Sequence, residues 1–229
     1  MPIESMATEE SAEDRKSRAK KVLAALRKLY PEADCALIHD GALQLLLATI
    51  LSAQSTDENV NKVIPVLFKQ YPSAQAIAEA PLAEIENIVR STGFFRQKAK
   101  NIQATCRLLI EKHGGEVPKT MDDLIALPGV ARKTANVVLG TWFGINEGVV
   151  VDTHVGRLST RLGLTWTSRD SKDAVKIEKD LMEIMPRRSW TYLSHALIQH
   201  GRSTCQARKP KCDDCRLKRY CPYPTSEDV

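Results

Sequence analysis

Leu124-Ile125-Ala126-Leu127-Pro128-Gly129-Val130-Ala131-Arg132-Lys133-Thr134-Ala135-Asn136-Val137-Val138-Leu139, followed by Val149-Val150-Val151-Asp152-Thr153-His154, decides how the chain reads. Pro128 cannot continue a helix and Gly129 accepts backbone angles that other residues avoid, so one helix stops near Leu127 and another starts at once. Thr120 and Asp123 have the spacing of a capping box, which begins the first helix at Met121. The second, from Val130 to Trp142, is rich in Ala, Val and Leu. Its opening turn presents unpaired N–H groups beside the positive end of the helix dipole, a geometry that suits a phosphate. A helix–turn–helix corner in an all-α core has the same pattern without any ligand.

Lys133 falls in that opening turn, beside dipole charge of its own sign. With partial desolvation, this favours the neutral amine, the form that attacks an electrophilic carbon and makes a Schiff base. A solvated lysine that only contacts phosphate is the equal alternative. Asp152 precedes a helix from Thr153 to Leu162 and so reads as its N-cap. A carboxylate held there can also exchange protons with an amine or stabilise a developing cation.

Outward from this stretch the pattern stays helical. Val22, Leu23, Leu26 and Leu29 form one apolar stripe between Arg18 and Tyr30, preceded by a polar tail, residues 1–17, that composition marks as disordered. Leu43 to Leu51 is apolar nearly all round and predicts a central buried helix. Further helices are predicted over 58–71, 73–80, 82–91, 98–113, 171–185 and 189–200, bounded by Pro, Gly or capping residues. Val149 to Val151 is too short for a sheet, so the fold class is all-α. Ser52-Ala53-Gln54-Ser55-Thr56-Asp57 is a polar loop, with Asp57 readable as the cap of the next helix. Gly93-Phe94-Phe95-Arg96 sets two aromatics in a glycine turn beside positive charge; in a protein that kinks DNA, an exposed one there would make a wedge between base steps. His39, His113, His195 and His200 read as structural residues.

The chain has 229 residues, 43% hydrophobic content and a formal net charge of +5, a soluble globular composition that leans toward a polyanionic partner. The apolar run 42–51 is shorter than the roughly 20 residues of a membrane span, and the N-terminus has no secretory signal pattern. An intracellular, cytoplasmic protein is expected. Four of the six cysteines, Cys205, Cys212, Cys215 and Cys221, are spaced C-x6-C-x2-C-x5-C, which in such a chain reads as a metal site. Tetrahedral zinc and a cubane iron–sulfur cluster suit four thiolates equally. Seven cations and two aspartates lie between Gly201 and Cys221, compensating an anionic cluster, clamping phosphate, or both.

Leu127 to Ala135 resembles the hairpin of the helix-hairpin-helix DNA glycosylases, and Val151-Asp152-Thr153-His154 resembles their catalytic aspartate motif. The cysteine spacing, just after Gln199-His200-Gly201-Arg202, is similar to that of the endonuclease III family within them. These motifs occur in the family's order, from about residue 18 onward. The resemblance implies two helical domains flanking a DNA-binding cleft: residues 35–145 as a six-helix domain, and 18–34 plus 146–229 as a second domain carrying a [4Fe-4S] cluster on the four cysteines. It implies a base excision repair glycosylase that removes oxidised pyrimidines from duplex DNA and cuts abasic sites, with Lys133 as Schiff-base nucleophile and Asp152 assisting. Gln54 and Phe94 become duplex wedges, and Gly129, Ala131, Arg132, Arg208, Lys209 and Lys211 further DNA contacts. Ser52, Asp57 and His154 are placed near the lesion pocket. Ala131 replaces the hairpin's usual second glycine, which adds a methyl group near the phosphate. The expected state is a bacterial, nucleoid-associated monomer. A monofunctional mismatch glycosylase of the same fold and a non-catalytic, metal-stabilised DNA-binding module are the alternatives; Lys133 argues against an adenine-mismatch enzyme.

Overall fold

The computed structural model describes residues 10–223, and among these there is no strand. The all-α reading is thus correct, and no helix among the described residues is long and apolar enough to cross a membrane. The first helix, α1 (Ala12–Leu29), starts ahead of Arg18, so residues 12–17 are helical and not a disordered tail. Capping explains what apolar periodicity misses. Ser11 accepts a hydrogen bond from the Asp14 N–H at 3.1 Å, and Glu13 and Asp14 suit the positive end of the dipole. Arg18 reaches back to Glu10 at 2.7 Å, which holds the Glu10 carboxyl below its ordinary range. Residues 1–9 of the expected tail lie outside the described residues.

The chain divides into two compact units. Residues 35–147 form one, with α2 (Ala42–Leu51), α3 (Asp57–Gln70), α4 (Ala74–Glu79), α5 (Leu82–Val89), α6 (Phe95–His113), α7 (Met121–Ile125) and α8 (Arg132–Thr141). That is seven helices where the resemblance implies six. The short α4 and α7 exist because Ser73 and Thr120 each cap them. Helix α2 is the centre: Leu45, Leu46, Leu47 and Leu51 are fully buried, each burial contributing about 1.5–3 kcal/mol. Its one buried hydroxyl, Thr49, donates to the Leu45 carbonyl at 2.7 Å. Around α2 pack α3, α6 and α8, and α6 in turn supports α4 and α5.

The other unit joins the residues up to Asp34 to those from Gly148 onward. Its helices are α1, α9 (Thr153–Arg161), α10 (Ala174–Ile184) and α11 (Trp190–Ser203), with α9 packed on α10 and α11, and α1 on α10 and α11. Asp180, 1% exposed, gathers the loop before α10 by accepting from the Trp166 and Thr167 N–H groups at 2.8 and 3.0 Å and from the Thr165 hydroxyl at 2.6 Å. The far end of this anchored loop rests on Gly156, where a methyl group would overlap the Ser171 backbone carbonyl. Gly156→Ala is expected to destabilise the protein by about 3 kcal/mol, lowering the melting temperature by roughly 6–12 °C. Thermal unfolding followed by circular dichroism measures it.

Candidate functional site

The hairpin between α7 and α8 lies in the 35–147 unit. Thr120 accepts from the Asp123 N–H at 3.2 Å and donates to the Asp123 carboxylate at 2.6 Å, which starts α7. The turn needs Gly129 twice over. Its φ is +77°, and an added Cβ would lie 2.6 Å from Asn101 Nδ2. Thr105 Oγ1 donates to the Pro128 carbonyl at 2.9 Å and so ties the turn to α6. Helix α8 begins at Arg132, later than Val130, because Val130 is buried beneath the turn and Ala131 is the extended N-cap. With φ −92° and ψ 167°, Ala131 is unstrained and makes no side-chain cap, which leaves the first amides of α8 to an incoming anion. Arg132 donates to the Glu147 carbonyl at 3.2 Å. Lys133 is exposed in the first turn, so the partial desolvation expected of it is absent here, and a bound partner has to supply it.

Asp152 belongs to the other unit and is the N-cap of α9. Its Oδ1 accepts from the His154 and Val155 N–H groups at 2.9 and 2.8 Å. Beside it, His154 Nδ1 accepts from Arg157 at 3.1 Å, and since a guanidinium only donates, the ring hydrogen sits on Nε2. Burial, then the cations of Arg157 and Arg202, hold this imidazole below its ordinary range against the opposing pull of Asp152. Gly201 makes the packing possible, since a Cβ there would lie 2.7 Å from His154 Nδ1. Arg157 also donates to the Gly201 and Cys205 carbonyls at 3.1 and 3.0 Å, connecting α9 to the end of α11.

Two loops of the 35–147 unit carry the non-glycine residues with left-handed backbone among the described residues: Gln54 (φ 54°) and Phe94 (φ 46°). Each costs on the order of 1–3 kcal/mol and persists only where neighbours hold it. Gln54 is exposed and Phe94 is 69% exposed, whereas Phe95 is half-buried on the core between Arg90 and Arg96. Helix α6 begins at Phe95, ahead of the expected Lys98, with Phe94 as its cap. Ser52 donates to the Thr49 carbonyl at 2.8 Å. The cap of α3 is Thr56, which accepts from the Asn59 N–H at 3.2 Å, and Asp57 is the first helical residue rather than the cap.

Cys205, Cys212, Cys215 and Cys221 line one cavity of about 320 Å³. Burial pushes the Cys221 thiol up to about 11 and raises that of Cys215, and in both the neighbouring cysteines add to the rise. Four thiolates at this place need a compensating cationic group. Four cysteine side chains lining one cavity are a donor set that suits a metal or cluster bound through thiolates. Two residues missed in the sequence touch the sulfurs. Arg161 donates to Cys205 Sγ at 3.3 Å, and His200 Nε2 lies 3.5 Å from Cys215 Sγ. His200 is pushed down to about 4 by burial, and its other nitrogen meets the Tyr30 hydroxyl at 2.8 Å. Arg161 also donates to the Gln206 and Ala207 carbonyls at 2.8 and 2.7 Å, pinning the loop on which Arg208, Lys209 and Lys211 stand exposed. The only sequence signal for Arg157 and Arg161 is their i, i+4 spacing on α9.

Residues 47–187 match the HhH-GPD superfamily of base excision DNA repair proteins. Over 208 residues the chain is 55% identical to an endonuclease III of Synechocystis sp., covering 91% of this chain and 93% of that relative. A trapped endonuclease III–DNA covalent intermediate, an estranged-adenine complex, is similar at 43% identity and TM-score 0.83, covering 90% and 95% of the two chains. A thermostable thymine-DNA glycosylase shares the fold at TM-score 0.78 and 20% identity, over 90% of this chain and 96% of that one.

Proposed function

Because the chain belongs to the endonuclease III family of the HhH-GPD base excision DNA repair superfamily, and is accordingly a DNA glycosylase with abasic-site lyase activity, we propose that Lys133 is its nucleophile and oxidised pyrimidines in duplex DNA its substrates. The observation that carries the reading is an exposed amine in the first turn of α8, whose N-terminus has no side-chain cap and so offers backbone N–H groups suited to a phosphate. The trapped covalent intermediate of a 43% identical relative supports a nucleophile on the protein. DNA is bound first through phosphates at Gly129, Ala131 and Arg132 and at Arg208, Lys209 and Lys211. The damaged nucleotide leaves the stack at reduced cost because a saturated ring stacks weakly. Gln54 fills the space it vacates, and Phe94 opens the adjacent step. Ser52, Asp57 and His154 are assigned to contacts with the extruded nucleotide on the family resemblance.

Lys133 Nζ then bonds to the sugar C1′ as the glycosidic bond breaks, its electron pair leaving with the base. Asp152 takes the proton from the amine or stabilises the positive charge at C1′. Ring opening leaves an iminium, and loss of a C2′ proton expels the 3′ phosphate. Cys205, Cys212, Cys215 and Cys221 would hold a [4Fe-4S] cluster, which would cross-link the segment that carries residues 206–211. Arg208→Ala, Lys209→Ala and Lys211→Ala are each expected to reduce the slope of log affinity against log salt by about 1. Fluorescence anisotropy titrations at several salt concentrations measure it.

The proposal is tested by incubating the protein with duplex carrying thymine glycol or an abasic site and adding borohydride. A covalent protein–DNA adduct on both substrates is expected. No adduct on the abasic duplex removes the nucleophile assignment, and an adduct there without release of thymine glycol removes the pyrimidine assignment. A mismatch glycosylase would release thymine from a G·T pair instead.

A further inference from the structure

Lys98 is an anomaly that the chemistry above leaves unused. It is 5% exposed, and it stands in the first turn of α6, beside dipole charge of its own sign. Burial lowers its pKa. Its Nζ donates to the Leu51 carbonyl at 2.8 Å and to the Thr92 carbonyl at 2.6 Å. Leu51 ends α2 and leads into the loop of Gln54; Thr92 ends the 3-10 turn Arg90–Thr92 and leads into Gly93 and Phe94. One amine therefore grips the two backbones just before the two left-handed residues. A second grip lies nearby: Asn59 Nδ2 donates to Ser55 Oγ at 3.1 Å and to the Ser91 carbonyl at 3.0 Å. Strained residues hold their conformation where the surroundings over-determine them, and here the same two side chains do so for both loops.

We infer that Lys98, with Asn59, fastens the Gln54 and Phe94 loops into one rigid element, so that the two side chains enter the duplex as a pair. Lys98 is thus a positioning residue for lesion extrusion. The inference rests on the wedge reading of Gln54 and Phe94. A charged donor serves where a neutral one would not, because a carbonyl at the C-terminus of α2 carries the negative end of that helix dipole and binds a cation best. Lys98→Met keeps the length and burial of the side chain and strands both carbonyls.

Two readouts on the full chain test it: amide hydrogen exchange of the free protein, and fluorescence of 2-aminopurine placed opposite a tetrahydrofuran abasic analogue in duplex DNA at saturating protein. Lys98→Met is expected to accelerate exchange in residues 52–56 and 91–94 together, by about tenfold or more. It is expected to suppress the fluorescence rise of the unpaired base while affinity for undamaged duplex stays within about twofold. Asn59→Ala is expected to give the same pattern more weakly, and decides by the same readouts should Lys98→Met not fold. Acceleration in one loop only, or in neither, overturns the staple. So does a full fluorescence rise in Lys98→Met, the outcome of a merely structural lysine that lowers the melting temperature alone. Gln54→Ala and Phe94→Ala test the wedge reading separately. If neither changes the fluorescence, that reading fails, while the exchange data still decide whether the loops are joined.

Discussion

Lys133→Ala is expected to give no borohydride-trapped adduct and to lower strand cleavage at an abasic site by about 10³-fold or more. No water replaces a side-chain amine as the partner in an imine, so the lyase step has no alternative route through this residue. The fold should be indifferent: Lys133 is exposed on α8 and the change stays within about 0.5 kcal/mol of neutral. Lys133→Arg separates the two roles open to the lysine. A guanidinium keeps the charge beside the phosphate yet stays protonated, so this variant should bind abasic duplex and leave it uncut. An adduct surviving in Lys133→Ala assigns the nucleophile elsewhere, and cleavage surviving in Lys133→Arg reduces the residue to a phosphate contact.

Asp152→Asn is expected to lower base release by about 10²–10⁴-fold at nearly unchanged stability. The reason is local. Both cap bonds fall on Oδ1, from the His154 and Val155 amides, and an asparagine oxygen accepts them equally well. Only the negative charge is lost. Asp152→Ala removes cap and charge together, and should add a loss of about 1 kcal/mol, or roughly 2–4 °C in melting temperature. Single-turnover release of thymine glycol, with thermal melts of both variants, measures the separation. Full turnover in Asp152→Asn would leave the residue a helix cap and nothing more.

The candidate site was unevenly legible. The hairpin, the cap of α9 and the cysteine spacing each lie within a few residues of chain, where Pro128, Gly129, Asp152 and the C-x2-C pair state their geometry directly. Lys133 was found because a lysine in a first helical turn is out of place by itself. Lys98 sits in the same kind of position, yet its meaning depends on a carbonyl 47 residues away, and no periodicity announces that. His200 reads as one more structural histidine until Cys215 Sγ stands 3.5 Å from it. Arg157 and Arg161 look like the solvated face of a helix, and instead each is spent on backbone carbonyls more than 40 residues ahead.

The order and approximate extents of the helices, the hinge at Pro128 and Gly129, and the family were determined by the sequence itself, because caps, breakers and apolar stripes act over one or two turns of backbone. The early start of α1 was also written there, in Ser11, Glu13 and Asp14, where a cap rather than an apolar face begins the helix. Only the tertiary structure decided which amine is buried, which loops share one anchor, and where a methyl group has no room, as at Gly156 against the Ser171 carbonyl. Those are relations between distant segments at ångström precision, set by how side-chain volumes fill a core, and they exist only once the core has closed.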